Sequence, residues 1–214
     1  MLHIRFPLSL RSVEDLLHER GIEIIHETVR HWWNRFGPMF AAELRRKRVD
    51  RMRGRKQWRW HLDEVFVKVN GVTHFLWRAV DDEGEVLDSL VTKTPDRKAA
   101  LKSLKKSMKR HVRPETIVTD RLRWYGAALK DLGRGDDREM GRWLNNRAEN
   151  SHLPFRRRER AMLRFRRMGT LQKFASDHAS VNQHFPTERH LPNRNHYKRS
   201  CAADLAEWRG LLAA

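Results

Sequence analysis

Apolar residues recur at helical spacing near the start of the chain and at alternating positions further along. Val13, Leu16 and Leu17 predict a first helix, and Gly21 favours a turn after it. A second helix is predicted over residues 26–36. Two helices joined by a short turn that contains glycine are typical of a helix-turn-helix, although a helical hairpin that serves only for packing shows the same pattern.

The pattern changes at Trp58, where β-forming residues become frequent. Three strands are predicted over 58–69, 72–80 and 86–92, with turns at Asn70-Gly71 and over 81–84. Helices are then predicted over 96–111, 122–132, 145–153, 171–185 and 202–212. Short strands are predicted over 116–120 and 138–144. Three antiparallel strands followed by helices that alternate with parallel strands predict an α/β fold with a ribonuclease H-like mixed sheet, preceded by a small helical domain.

These elements predict four parts of the chain. A helix-turn-helix DNA-binding domain is expected over 1–44, a basic linker over 45–57, a ribonuclease H-like catalytic domain over 58–185, and a C-terminal tail with a short helix over 186–214. Pro154 is expected to kink or restart the helix that begins at Asn145.

The net charge and its distribution indicate which class of partner the protein binds. The 214 residues include 45 Lys and Arg against 27 Asp and Glu, a formal charge of +18. The surplus lies in residues 1–60 and 121–169, around a nearly neutral segment that holds ten acids. This distribution favours a polyanion, most often nucleic acid. The single Cys201 excludes an internal disulfide, and no apolar run is long enough to cross a membrane, so we expect a cytoplasmic protein.

Several residues are candidates for DNA contacts. The second helix is expected to read bases with an exposed face, which comprises Thr28, Arg30, His31 and Asn34. Two arginine-rich runs are expected to contact phosphates, namely Arg45, Arg46, Lys47 and Arg48, and Arg156, Arg157 and Arg158.

Two acids interrupt strands that are otherwise apolar. Asp63 lies inside the first predicted strand and Asp120 ends the fourth, and these strands are neighbours in a ribonuclease H-like sheet. Carboxylates that share a crevice repel one another, and a divalent cation such as Mg²⁺ or Mn²⁺ removes that cost. Glu64 is expected to face away, because side chains alternate along a strand. The candidates for a third acid are Asp136, Asp137, Glu139 and Glu149, of which Glu149 is favoured.

The roles of four other residues stay open at this stage. His61 and His152 are either metal ligands or, more commonly for histidine, packed side chains. Trp124 and Tyr125 follow Asp120 closely, so they either stack on an unpaired base or belong to the core.

Three segments resemble the acidic motifs of bacterial DDE transposases. They are Trp60-His61-Leu62-Asp63-Glu64, Val118-Thr119-Asp120, and residues 145–152, which read Asn-Asn-Arg-Ala-Glu-Asn-Ser-His. The whole chain is similar to the insertion-sequence six family. Arg156 stands seven residues after Glu149, where many DDE transposases carry a basic residue.

The resemblance implies an Asp63–Asp120–Glu149 triad that binds two Mg²⁺ or Mn²⁺ ions and catalyses DNA strand cleavage and strand transfer. It also implies DNA partners, namely the terminal inverted repeats of an insertion sequence and a target duplex. A homodimer or higher oligomer in the synaptic complex, replicative cointegrate formation and a nucleoid location in a bacterial cytoplasm follow from the same resemblance. Family members usually have a short additional N-terminal segment, so the helix-turn-helix is expected to lack its beginning.

Two other functions would use the same features. A ribonuclease H-like nuclease would cut with the same acids but would not join DNA ends. An inactive, truncated relic of a transposase would bind DNA without any metal-dependent cleavage.

Overall fold

The computed structural model describes residues 2–52, 59–111, 113–141, 143–162, 165–185 and 193–213. The helices are α1 (Leu2–Arg5), α2 (Leu10–His18), α3 (His26–Met52), α4 (Arg97–Arg110), α5 (Arg123–Asp131), α6 (Asn146–Ala161), α7 (Met168–His184) and α8 (Arg194–Ala213). The strands are β1 (Arg59–Val69), β2 (Val72–Asp81), β3 (Val86–Thr92), β4 (Thr116–Thr119) and β5 (Arg138–Met140).

The strands form one sheet in the order β3-β2-β1-β4-β5. β1, β2 and β3 are antiparallel, whereas β4 is parallel to β1 and β5 is parallel to β4. The tight turn between β1 and β2 needs two residues with positive φ, and Asn70 and Gly71 supply them at 51° and 84°. The topology confirms the predicted ribonuclease H-like mixed sheet.

Helices lie against both faces of this sheet. α4 and α5 cover one face, where Trp60, Leu62 and Trp77 share a buried core with Leu104 and Leu129. α6 packs on β1 and β2. Because side chains alternate along β1, Leu62 and Glu64 face α4 and α5, whereas Asp63 faces α6.

The chain divides into two compact units. One contains the residues up to Lys47 together with those from Asp177 onward, and the other contains Arg48–Ser176. Among the described residues, no helix combines the length and apolarity that a membrane span requires.

The first unit contains the predicted pair of helices. Ser9 caps α2 by accepting a hydrogen bond from the Ser12 backbone N–H at 2.9 Å. Gly21 has a positive φ of 72° in the connection, as its turn position predicts. Glu14 accepts hydrogen bonds from the backbone N–H of His26 at 2.9 Å and from its ring Nδ1 at 2.8 Å, which fixes the start of α3 against α2.

The structure corrects the predicted boundaries of three segments. Residues 45–52 form the last turns of α3 rather than a linker, because the helix continues through Pro38, and 53–57 lie outside the described residues. The C-terminal helix starts at Arg194, eight residues earlier than predicted, and residues from Asp177 onward belong to the first unit rather than to a separate tail. Pro154 does not restart α6, which is continuous from Asn146 to Ala161.

Candidate active site

Asp63 and Asp120 meet where β4 ends. The last residue pair between β1 and β4 joins Leu62 to Thr119, so Asp63 and Asp120 are the next residues on the two strands. A carboxylate oxygen of each lies within 4.8 Å of the other. The convergence predicted for these two acids is therefore present.

Glu64 belongs to the same cluster, contrary to the sequence-based expectation. Its carboxylate has an oxygen within 4.8 Å of both Asp63 and Asp120. The alternation along β1 does hold, because Asp63 contacts α6 while Glu64 contacts α5. However, β4 pairs with β1 only as far as Leu62. Side chains from both faces of β1 can therefore reach Asp120 beyond the end of β4.

Tyr125 of α5 holds Glu64 in place. The Tyr125 hydroxyl donates to Glu64 Oε2 at 2.7 Å, and its ring packs edge-on against Trp77. Trp124 is partly buried against the same core. The structure thus assigns Tyr125 to the core, because it is fully enclosed and offers no face to a base.

A basic residue from β5 fixes the segment after β4. Arg138 donates to Thr119 Oγ1 at 2.7 Å, to the Asp120 carbonyl at 2.7 Å and to the Leu122 carbonyl at 3.0 Å. Asp120 Oδ1 in turn accepts from the Leu122 backbone N–H at 3.1 Å. A Cβ on Gly126 would lie 2.5 Å from the Arg138 guanidinium, so the bare glycine leaves room for this contact.

Helix α6 is attached to the sheet next to the acidic cluster. Asn145, just before the helix, donates from Nδ2 to the Leu62 carbonyl at 3.0 Å, and His152 Nε2 lies 3.1 Å from Asp63 Oδ2. The buried Arg78 donates to the Ser151 carbonyl. His152 therefore packs against a cluster carboxylate, while His61 is buried with its Nε2 3.3 Å from Asp82 Oδ1.

Glu149 lies on α6 but outside the 4.8 Å cluster. It is exposed, and it forms no ion pair with any described residue. Its charge still acts on Asp120, where it contributes to a raised pKa. Because α6 is continuous, Glu149, His152 and Arg156 share one helix face at spacings of three and four residues.

Burial and mutual repulsion disfavour negative charge in the cluster. Burial, opposed by the Tyr125 hydrogen bond and reinforced by the charges of Asp120 and Asp63, raises the pKa of Glu64 to about 7. Burial also raises the pKa of Asp120, and the Asp63 charge adds to this effect. Burial lowers the pKa of His152, which keeps the ring neutral.

The donor set fits a divalent metal ion. Three carboxylates within mutual reach supply the hard oxygen ligands that Mg²⁺ and Mn²⁺ prefer. A bound cation would offset the repulsion that raises the pKa of Glu64 and Asp120. The site therefore suits a divalent cation held by Asp63, Asp120 and a further carboxylate.

Most of the predicted phosphate contacts in residues 45–48 are occupied by acids of the same unit. Arg45 lies 3.8 Å from Asp177, Arg46 pairs with Glu43 and Lys47 with Glu207. Arg48 pairs with Asp81 and with Glu85. These basic side chains form ion pairs within the protein, and phosphate contacts by residues 45–48 stay a prediction.

The other predicted DNA contacts differ in exposure. Arg30, His31 and Asn34 are exposed on α3 and Thr28 is half-buried. Arg157 is exposed, whereas Arg156 is half-buried and pairs with Glu159 at 2.6 Å. Arg158 is only 2% exposed, so the structure contradicts its assignment to a phosphate.

Comparison with known proteins agrees with this geometry. A family model described as a DDE domain, DDE_Tnp_IS240, matches residues 57–188. The chain is 27% identical over 155 residues to the transposase for insertion sequence-like element IS431mec of Staphylococcus aureus, which covers 70% of this chain and 67% of the relative. It is 26% identical, with the same coverage, to the transposase for insertion sequence element IS257 in transposon Tn4003 of Staphylococcus aureus.

Solved structures also match at low identity. The catalytic domain of Mos1 mariner transposase gives a TM-score of 0.41 at 14% identity and covers 83% of this chain and 90% of that one. The catalytic core domain of BIV integrase gives a TM-score of 0.40 at 12% identity and covers 71% of this chain and 99% of that one.

The matched DDE domain contains the acidic cluster, and together they define a DDE-type polynucleotidyl transferase. The family match spans more than half of the chain. The chain belongs to the DDE transposases of the insertion-sequence six family.

Proposed function

We propose that this protein binds the terminal inverted repeats of an insertion sequence and transfers their strands to target DNA, giving cointegrates by replicative transposition. The observation that supports this most strongly is the meeting of Asp63 and Asp120 at one edge of the sheet within the DDE domain. The reaction requires a divalent cation, because the cluster otherwise concentrates mutually repelling carboxylates. Both substrates are DNA, namely the element ends that are cut and the target duplex to which they are joined.

Asp63 and Asp120 are the proposed shared metal ligands. Mg²⁺ or Mn²⁺, as two ions, would activate water or a DNA 3′-hydroxyl and stabilise the departing 3′-oxygen. The enzyme's own part is to fix the carboxylates: His152 orients Asp63, and Arg138 holds the Thr119 hydroxyl and the backbone carbonyls of Asp120 and Leu122.

Glu149 is the proposed third member of the triad. It shares a helix face with His152, which already contacts Asp63, and its charge acts on Asp120. Its exposed side chain has no ion pair among the described residues to break before it turns toward the cluster. Glu64 is the competing third acid, because it is already within the cluster and is held there by Tyr125.

Substrate recognition is assigned to two surfaces. The exposed Arg30, His31 and Asn34 with Thr28 on α3 would read the terminal repeats. Arg156 and Arg157 on α6 would contact the phosphates near the cut, since both lie about two turns beyond the triad carboxylate. Transposition joins two element ends, so we propose that the protein acts as a dimer or higher oligomer.

The proposal is tested with purified protein, duplexes that carry the repeats flanking the element, and a plasmid target. Wild-type protein should yield joined products in Mg²⁺ and none in EDTA, and Asp120→Asn should abolish them. Joined products from Asp120→Asn at the wild-type rate would refute the proposed metal role. Nicking by the wild-type protein without joining would identify a nuclease, and binding without any cleavage would identify an inactive relic.

Isosteric variants identify the third acid. We expect Glu149→Gln to abolish joining, and Glu64→Gln to reduce it less. Glu139→Gln is a matched control, because this half-buried acid pairs with Arg59 and is not part of the cluster. Full activity of Glu149→Gln, together with loss in Glu64→Gln, would assign the third position to Glu64.

A further inference from the structure

Helix α4 has the highest local density of positive charge among the described helices outside the acidic site. Its 14 residues, Arg97–Arg110, include seven Lys and Arg and no Asp or Glu. Its inner face is apolar or small, with Ala99, Ala100 and Leu104 buried against the sheet. Most of its charge therefore lies on the outer side.

The seven basic residues form two groups. Arg97 pairs with Asp131, and Lys106 and Arg110 both pair with Asp88. The remaining four, which we call the α4 lysine stripe, are Lys98, Lys102, Lys105 and Lys109. Spacings of four, three and four residues place them on one line along the helix.

The α4 lysine stripe faces solvent. All four side chains are exposed, and none forms an ion pair with a residue that the structure describes. Asp96, the acid nearest in sequence, is engaged as the N-cap of α4 and accepts from the Ala99 backbone N–H and the Thr94 hydroxyl. Like charges at these spacings repel, so the stripe weakens the helix unless an anion covers it.

We propose that the α4 lysine stripe binds the phosphate backbone of the target DNA duplex. This inference rests on the proposed function, since it assigns a surface to the second DNA of the strand-transfer reaction. Lys98 and Lys109 are eleven positions apart, a distance of about 16 Å along the helix, which equals the rise of about five base pairs. The surface therefore matches a run of phosphates along a duplex.

The chemistry of lysine favours target DNA over the repeats. The ammonium group is a flexible point charge that contacts phosphates without reading bases. A row of four lysines therefore gives affinity that does not depend on sequence, as capture of a target requires. The basic residues predicted for phosphates at positions 45–48 pair with acids instead, which leaves α4 as the denser unpaired surface.

The test measures binding of the full chain to a fluorescein-labelled duplex of random sequence over a series of NaCl concentrations. The variant carries Lys98→Gln, Lys102→Gln, Lys105→Gln and Lys109→Gln. The charge-matched control carries Lys68→Gln, Lys93→Gln, Arg113→Gln and Lys130→Gln, which are exposed positions off the stripe. A parallel series uses the terminal-repeat duplex, and a third uses vesicles of anionic phospholipid.

We expect the stripe variant to lower the slope of log K against log salt by about 3 to 4, because each phosphate contact contributes about 0.9. Its affinity for random duplex should fall about tenfold or more at low salt, and its preference for the terminal repeat should rise. Two half-variants, Lys98→Gln with Lys109→Gln and Lys102→Gln with Lys105→Gln, should each give about half of the change in slope. These half-variants keep the test decisive if the fourfold variant unfolds.

Three results would overturn the inference. Equal slopes for the stripe variant and the charge-matched control would mean that only net charge matters. A loss for the repeat duplex as large as that for the random duplex would mean that the stripe does not distinguish target DNA from the element ends. Loss of vesicle binding with unchanged DNA binding would assign it to a lipid surface. Failure of the proposed function is seen separately, as absence of metal-dependent joining by the wild-type protein.

Discussion

His152 on α6 lies with its Nε2 3.1 Å from the Asp63 carboxylate on β1, and both side chains are largely buried. In the tautomer that carries its proton on Nε2, the neutral ring donates this hydrogen bond. The contact links the helix that carries Glu149 to the strand that carries the first acid. His152 is therefore a positioning residue for the candidate metal site.

The first prediction concerns this contact. His152→Ala should weaken Mn²⁺ binding about 10- to 100-fold, as loss of a group that orients a metal ligand typically does. His152→Gln should recover most of the affinity, because its amide can donate to Asp63. The affinity is measured by calorimetric titration of the purified protein.

The control for this prediction is His74→Gln. His74 is also buried, but its Nδ1 bonds to the Val72 carbonyl in the hairpin. This variant should bind Mn²⁺ as the wild type does. Equal losses in His74→Gln and His152→Ala would show that the effect is a general loss of packing.

The second prediction concerns the pH dependence of stability in metal-free protein. Burial raises the pKa of Glu64 to about 7 in the folded state. The folded state thus holds this proton more tightly than the unfolded chain, and the resulting stability is present below pH 4.5 and is lost as pH rises through 7. Urea unfolding in EDTA should therefore show a smaller decline between pH 5 and pH 8 for Glu64→Gln than for the wild type. If the unfolding free energies of Glu64→Gln and the wild type differ by the same amount at every pH, the pKa of Glu64 is not raised in the folded state.

The third prediction concerns the space that Gly126 leaves for Arg138. Gly126→Ala should displace the guanidinium that holds Asp120, because the new Cβ would lie 2.5 Å from it. We expect weaker Mn²⁺ binding with little net change in unfolding free energy, because the preference of helix α5 for Ala over Gly, about 1 kcal/mol, offsets the cost of moving the end of a flexible side chain. Gly169→Ala is the matched control, since nothing lies within 4 Å of that position, and it should leave metal binding unchanged. Wild-type metal affinity in Gly126→Ala would show that Arg138 does not position Asp120.

The fourth prediction separates two adjacent arginines. Arg157→Ala should weaken DNA binding and lower its salt slope by about 0.9, as loss of one phosphate contact does. Arg158→Ala should instead lower the unfolding free energy by about 2 kcal/mol, because it removes a large buried side chain. Fluorescence anisotropy and urea unfolding measure the two effects. If Arg158→Ala is as stable as the wild type but binds DNA more weakly, Arg158 contacts DNA after all.

The sequence pattern predicts the sheet and two of its acids for a clear reason. Apolar strands fix the topology, so Asp63 and Asp120 stand out as charges at strand positions that should be buried. Glu64 was missed because alternation gives the face of a side chain but not the length of the neighbouring strand. Only the pairing of β4 with β1, which stops at Leu62, brings Glu64 around to Asp120.

Charge along the chain is less informative about surfaces. Arg45 and Lys47 lie in a basic run, but their partners Asp177 and Glu207 are more than 100 residues away in sequence. Arg158 could have been recognised as buried, because Ala148, His152 and Phe155 already set the phase of the inner face of α6. The placement of Glu149 relative to the cluster depends on a side-chain orientation that no pattern encodes.

Binding of Mn²⁺ to the wild-type protein and to Asp63→Asn and Asp120→Asn tests the central claim most directly. Calorimetric titration should show saturable binding by the wild type and by the Glu139→Gln control, and binding at least tenfold weaker in each aspartate variant. If both aspartate variants bind the ion as tightly as the wild type, the carboxylates that meet at the end of β4 do not form the metal site of this enzyme.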